Sequence, residues 1–164
     1  MSELALNELR QYLNKSNIHK VEPPILAMDY GMKRIGIAIT DSKGIIAQPL
    51  TIIEAKKQNY EAIVYKIKDI IEGYKIKTLV LGIPQAFKKE HLQNLESILK
   101  FQEFLEKVTK KEIFLYDESY STSKSYETLR SKGENYKKSK KKIDKIAATY
   151  FLQELIDFKN QQND

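Results

Sequence analysis

Apolar residues fall into short blocks along this chain, and the spacing inside the blocks switches between two periods. Ile25-Leu26-Ala27-Met28 is a continuous apolar run, and after a turn Ile35, Ile37 and Ile39 alternate with Gly36, Ala38 and Thr40. The first block reads as a buried strand and the second as a strand of period two, so the pair forms a hairpin around Asp29-Tyr30-Gly31, with Gly31 supplying the positive φ of the turn. A third strand follows Gly44 through Ile45-Ile46-Ala47 and past Pro49 to Ile52-Ile53; a proline donates no ladder hydrogen bond, which predicts an edge or a bulge. Tyr60, Ile63, Ile67, Ile70 and Ile71 then recur at helical spacing up to Gly73, the predicted stop. Thr78-Leu79-Val80-Leu81-Gly82 is a short apolar strand, and Leu92, Leu95, Leu99, Gln102 and Leu105 mark a second helix. Ile113-Phe114-Leu115-Tyr116 is a last strand that runs directly into Asp117-Glu118. Helical spacing resumes through Leu129 to Gly133. A lysine run, Lys137-Lys138-Ser139-Lys140-Lys141-Lys142, then reads as a loop leading into a final helix with Ile143, Ile146, Ala147, Tyr150, Phe151 and Leu155 on its apolar side.

Ahead of the first strand, Ala5, Leu9, Tyr12 and Leu13 share one face of an appended helix, followed by a polar linker that ends at Pro23-Pro24. The predicted organisation is an N-terminal helical extension and linker at 1–22, one domain at 23–158 and a polar tail at 159–164. Strands alternating with helices after a three-stranded meander predict an α/β fold, a mixed five-stranded sheet flanked by helices.

Composition narrows the chemistry. A length of 164 residues with 41% apolar positions suits one compact domain with a real core. Cysteine is absent, which removes disulfides, thiolate nucleophiles and cysteine-based zinc sites and fits a reducing compartment. No apolar run approaches the roughly 18 residues of a membrane helix, and Glu3 and Glu8 near the start are unlike a secretory signal. The expectation is a cytoplasmic protein with no membrane association. The net charge of +6 draws the chain toward polyanions. Its two histidines, His19 and His91, lie outside the predicted strand ends, which argues against histidine triads and histidine zinc sites. Carboxylates are left to carry the chemistry.

Asp29 and Glu118 stand where apolar strands end, and Asp144 lies near the start of the last helix, almost on the stripe of Ala147 and Ala148. A carboxylate within an apolar stripe is costly to bury unless a cation or donor meets it. Each acid taken alone also reads as a turn residue, a helix cap or a surface ion pair. Three of them converging make an oxygen-only site, the kind that holds Mg²⁺ or Mn²⁺. Two such ions about 3.5–4 Å apart activate a water and stabilise the leaving oxygen of a phosphodiester.

Asp29-Tyr30-Gly31, Lys33-Arg34-Ile35-Gly36, Thr40-Asp41, Gly82-Ile83-Pro84, Asp117-Glu118 and Asp144-Lys145-Ile146-Ala147-Ala148, in this order, resemble the YqgF/RuvX family over about residues 25–155. The resemblance implies a ribonuclease H-like fold and a nuclease that matures the 5′ end of precursor 16S ribosomal RNA, or a Holliday junction resolvase acting on branched DNA. It further implies Asp29, Glu118 and Asp144 as metal-binding catalytic acids, with Asp117 auxiliary, and it places Lys33 and Arg34 beside the site where they can contact phosphate. The lysines at 137, 138, 140, 141 and 142 precede the helix of Asp144 and can clamp a nucleic-acid backbone; the alternative is a solvated loop. This chain departs from the family's pattern at Ser119, where an arginine is usual, at Ser121-Thr122, where two threonines are usual, and at Gln85-Ala86-Phe87-Lys88-Lys89-Glu90, where an asparagine and a glycine-serine turn are usual. These departures touch substrate grip and leave the acids in place.

Two other classes compete. A non-catalytic nucleic-acid-binding module on the same fold would bind without turnover. An actin-like or sugar-kinase ATPase also carries an Asp-x-Gly turn before a hairpin, but those enzymes clamp nucleotide between two lobes, and this chain has room for one. Junction resolution requires two active sites related by symmetry, hence a homodimer, whereas RNA processing does not.

Overall fold

The computed structural model describes residues 12–31, 33–55, 60–83, 92–117 and 136–162. Five strands, β1 (Ile25–Tyr30), β2 (Arg34–Thr40), β3 (Ala47–Glu54), β4 (Thr78–Ile83) and β5 (Ile113–Asp117), form one mixed sheet of order β3-β2-β1-β4-β5. The meander β1-β2-β3 is antiparallel, and β4 and β5 run parallel to β1. The helices are α1 (Tyr60–Tyr74), α2 (Leu92–Thr109) and α3 (Tyr136–Gln162).

Alternation along β1 assigns the two faces of the sheet. Leu26 and Met28 join Ile63, Val64, Ile67, Ile98 and Phe101 in the core under α1 and α2. Ile25 and Ala27 point the other way and join Ala148, Phe151, Leu152 and Leu155 of α3. The sheet is therefore covered on both sides, as the alternation of strands and helices predicted.

Pro49 does sit on an edge strand at a bulge. The β2–β3 register passes from Ile37 opposite Thr51 to Ala38 opposite Pro49, leaving Leu50 as the extra residue. Ile45 and Ile46, expected in the strand, precede it as an exposed loop, each with a relative accessibility of 54%. Their backbone N–H groups both donate to Asp41 Oδ1, at 2.8 and 2.9 Å, and these bonds hold the Asp41 carboxyl below its usual range. A side-chain clamp thus competes with the ladder and delays the strand to Ala47. The neighbouring Thr40 is buried; its hydroxyl accepts from Ile25 N–H and donates to Asp41 C=O, both at 2.9 Å. The Thr40-Asp41 motif is thus structural, joining the start of β1 to the end of β2.

The stop of α1 is not Gly73. The helix continues to Tyr74, and Lys75 takes the left-handed position at φ 56°. Ile76 N–H then reaches back to Ile71 C=O at 3.0 Å, and both isoleucines are in the core. This is the bond that closes a Schellman end, and the buried C-terminal isoleucine fixes its position more strongly than a glycine one turn earlier.

The appended helix falls largely on residues outside the description, but its Tyr12 and Leu13 are not helical. Tyr12 bridges Leu115 in parallel, Leu13 N–H donates to Leu115 C=O at 2.9 Å, and only a 3-10 turn follows, at Ile18–Lys20. An available backbone edge on β5 captures this segment as extended chain. The expected helix through Leu129 to Gly133 lies outside the described residues.

At the other end of the chain, the lysine run is helix and not loop. α3 begins at Tyr136 and continues to Gln162, into the predicted tail. No glycine or proline interrupts that span, and lysine is a good helix former, so the helix extends outward from its packed middle. Tyr150, expected on the apolar side, has a relative accessibility of 40%. Among the described residues no helix is long and apolar enough to cross a membrane.

Candidate active site

Asp29 is the penultimate residue of β1, near the carboxyl end shared by β1, β4 and β5, where open α/β sheets receive their ligands. The register places it opposite Gly36 on β2 and opposite Gly82 on β4. Residues in register share a face of the pleat. Both lateral neighbours of Asp29 in the sheet therefore lack a side chain, and the row ends in Ile52 on β3 and Tyr116 on β5. Asp29 itself is half-buried and lies two residues beyond Ala27, on the face covered by α3.

The turn after Asp29 depends on Gly31 for a reason the sequence did not show. Among the described glycines only Gly44 has a positive φ, so Gly31 does not serve as a left-handed residue. Gly31 N–H donates to Arg34 C=O at 2.9 Å, and a Cβ at Gly31 would stand 2.7 Å from that same oxygen. The requirement is close approach of two backbones. Gly31→Ala must push them apart, and by analogy with overpacked sites it should lower stability by about 1–3 kcal/mol, read as a reduced denaturant midpoint at unchanged slope.

Arg34 stands two residues before Gly36 on β2 and so faces the same side as Asp29. Its partner in register is Glu54 on β3, and Arg34 Nε lies 3.6 Å from Glu54 Oε1. The arginine side chain is only 21% exposed, so its cross-strand neighbour holds it at the rim of the acid's face. Lys33 is exposed in the turn, and its carbonyl accepts from Ala55 N–H at 2.8 Å.

Tyr30 occupies the opposite face, its ring 5.0 Å from that of Phe101 and its hydroxyl 3.4 Å from that of Tyr60. Burial, then the Tyr60 hydroxyl, raise its pKa well above the ordinary tyrosine value, so this group stays protonated and packs as a cap on the core.

The remaining predicted residues are placed less fully. Asp117 closes β5 with its backbone in register with Ile83. Asp144 and the lysines at 137, 138, 140, 141 and 142 belong to α3, with Asp144 one turn before the buried Ala147 and Ala148. The side chains of these residues are outside the description, as are Glu118, Ser119, Ser121-Thr122 and the Gln85–Glu90 loop. Among the described residues no three acidic, histidine or cysteine side chains come together. Gly36 and Gly82 were read only as parts of motifs. Their shared relation to Asp29 is carried by inter-strand register, which for β4 spans more than fifty positions of sequence.

The family model described as RuvX, Holliday junction resolvase, matches residues 24–158. The chain belongs to the RuvX family. Among curated RuvX-like relatives, a protein of Caldicellulosiruptor bescii named "putative pre-16S rRNA nuclease" is 37% identical over 139 residues, covering 83% of this chain and 97% of the relative. A protein of the same name from Sulfurihydrogenibium is 37% identical over 136 residues, covering 81% of this chain and 89% of the relative. In fold, this RuvX member is similar to Thermus thermophilus RuvC in complex with a Holliday junction substrate, with TM-score 0.55 at 12% identity over 84% of this chain and 96% of the other. It is also similar to the yeast mitochondrial Holliday junction resolvase, with TM-score 0.52 at 11% identity over 91% and 85%. The fold is thus ribonuclease H-like, and membership of RuvX displaces the actin-like ATPase reading.

Proposed function

We propose that this chain is a divalent-metal-dependent nuclease that matures the 5′ end of precursor 16S rRNA in the cytoplasm. The observation that carries the reading is the Gly36-Asp29-Gly82 row, a half-buried carboxylate at the ligand-binding edge of the sheet with no side chain from either lateral neighbour. The curated relatives bear the name of that activity over most of their length.

The packing of α3 supports Asp144 as a second acid of the same site. At the far end of the sheet Gln153 accepts from Ala47 N–H at 2.9 Å and donates to Ile45 C=O at 3.0 Å, which fixes the helix level with the start of β1. From Gln153 back to Asp144 the helix rises about 13 Å, and from Ile25 to Asp29 the strand rises about the same distance. That length is enough for α3, if it runs from this anchor toward the carboxyl edge, to bring Asp144 near the level of Asp29.

An oxygen-donor set of Asp29, Glu118 and Asp144 fits Mg²⁺ or Mn²⁺. When bound, such an ion supplies polarisation of the scissile phosphate and of a water at neutral pH. Asp117 takes an auxiliary role beside Glu118. Arg34 and Lys33 contact the phosphate flanking the cleaved bond, and the five lysines in the first turns of α3 recruit the polyanion.

A second reading, resolution of branched DNA, is favoured by the description of the family model, and it requires two copies related by symmetry. The deciding experiment offers labelled precursor 16S rRNA leader, unstructured RNA and a four-way DNA junction, with Mg²⁺, Mn²⁺ or EDTA. Metal-dependent cleavage preferring the leader is expected. Preference for the junction, by a homodimer, would favour resolution, and binding of every substrate without cleavage would leave a non-catalytic module.

A further inference from the structure

The end of the sheet farthest from Asp29 carries a groove of about 480 Å³ lined by Lys20, Glu22, Lys77, Thr78, Lys111, Glu112 and Phe114. Its three lysines come from three separate segments: the 3-10 turn, the link between α1 and β4, and the link between α2 and β5. Both helix-to-strand links repeat one design. In each, a lysine holds the left-handed position just past the helix, Lys75 at φ 56° and Lys110 at φ 59°, and another lysine, Lys77 or Lys111, follows toward the strand. That conformation costs a residue with a side chain roughly 1 kcal/mol or more compared with glycine. The lining and these two flanking positions together set five lysines against two glutamates.

The walls are fixed in place. Glu22 N–H donates to Thr78 Oγ1 and Thr78 Oγ1 donates to Glu22 C=O, each at 2.8 Å. Lys77 N–H donates to Pro24 C=O at 2.9 Å, and Ile113 N–H donates to Glu106 Oε1 at 3.1 Å. Among the described residues none of the five lysines forms an ion pair. A net excess of cationic groups on a rigid frame attracts polyanion phosphates and releases counterions on contact.

We propose that this groove is a second nucleic-acid backbone site, engaging substrate phosphates remote from the cleaved bond. It rests on the reading of the chain as acting on nucleic acid, and it adds a prediction which that reading does not make. Affinity must grow with substrate length beyond what the Asp29 edge alone can contact. β4 separates the two ends by about 20 Å, the rise of its six residues.

The test is the double variant K77E/K111E against wild type, using RNAs of about 4 and about 40 nucleotides, the longer exceeding one single-strand site. Binding is measured by anisotropy as a function of salt in EDTA, so that cleavage plays no part. For the long RNA the variant should lose about tenfold in affinity, and the slope of log K against log salt should fall by about 1.4, at about 0.7 per phosphate contact. For the short RNA both quantities should stay at wild-type values, with an unchanged melting temperature. Equal affinity of both proteins for the long RNA, or equal loss on both RNAs, would overturn the second site. A wild type that binds with length dependence but never cleaves with metal would sink the nuclease reading and leave the groove standing.

Discussion

Asp29→Asn is expected to abolish metal-dependent cleavage, by at least about a thousandfold in kcat, equivalent to about 4 kcal/mol of transition-state stabilisation. The substitution keeps the size and shape of the side chain and removes its negative charge, which an oxygen-ligated cation requires. A half-buried carboxylate is itself a cost to folding, so the amide should fold at least as stably as wild type. The pair of readings matters: activity falls while the thermal midpoint holds or rises. Undiminished cleavage would remove Asp29 from the metal site, and a collapse of both quantities would make it a structural residue of the hairpin.

The second large effect concerns a residue with no chemistry of its own. Gly82→Ala puts a methyl group directly beside Asp29 on the same face of the pleat, on a parallel neighbour strand only about 4.7–4.9 Å away. Cleavage should fall about a hundredfold, about 2.7 kcal/mol, because the methyl occupies the flank of the carboxylate. The matched control is Gly73→Ala. A Cβ there meets nothing within 4 Å, so this variant should cleave as wild type does and gain up to about 1 kcal/mol of stability from better helix propensity. If Gly82→Ala cleaves normally, the bare flank of Asp29 plays no part in catalysis.

The contrast between these glycines shows what the sequence made legible. The β1–β2 hairpin was readable because its period-two alternation is local, and Pro49 announced an edge because a proline lacks a donor wherever it sits. The apolar face of α1 followed from helical spacing in the same way, whereas on α2 the spacing found Gln102 and Leu105 but not Ile98 and Phe101, which carry the core contact there with Leu105. Gly31 was rightly singled out for the wrong reason, since the closeness of Arg34 C=O is a property of the folded turn and not of glycine's own torsions. The row through Gly36, Asp29 and Gly82 depends on register between strands distant in sequence. Misread boundaries share one cause, a partner elsewhere in the molecule. Asp41 holds Ile45 and Ile46 out of β3, Ile76 draws α1 past Gly73, and β5 takes Tyr12 out of a helix. The lysine run differs: it is helical because the propensity of an uninterrupted span of good helix formers outweighs the clustering of like charge.

The two borders of the sheet bear on self-association. A border strand with a regular row of free N–H and C=O groups invites another chain to add to it, the route by which many β proteins aggregate. Here β3 interrupts that row at mid-length, with Pro49 contributing no N–H and Leu50 bulged out of step. On the opposite border the segment at Tyr12 and Leu13 already occupies part of β5. Growth of the sheet from molecule to molecule is thereby resisted along the described part of both borders, so a twofold assembly able to cut a branched substrate would not form by adding strand to strand there.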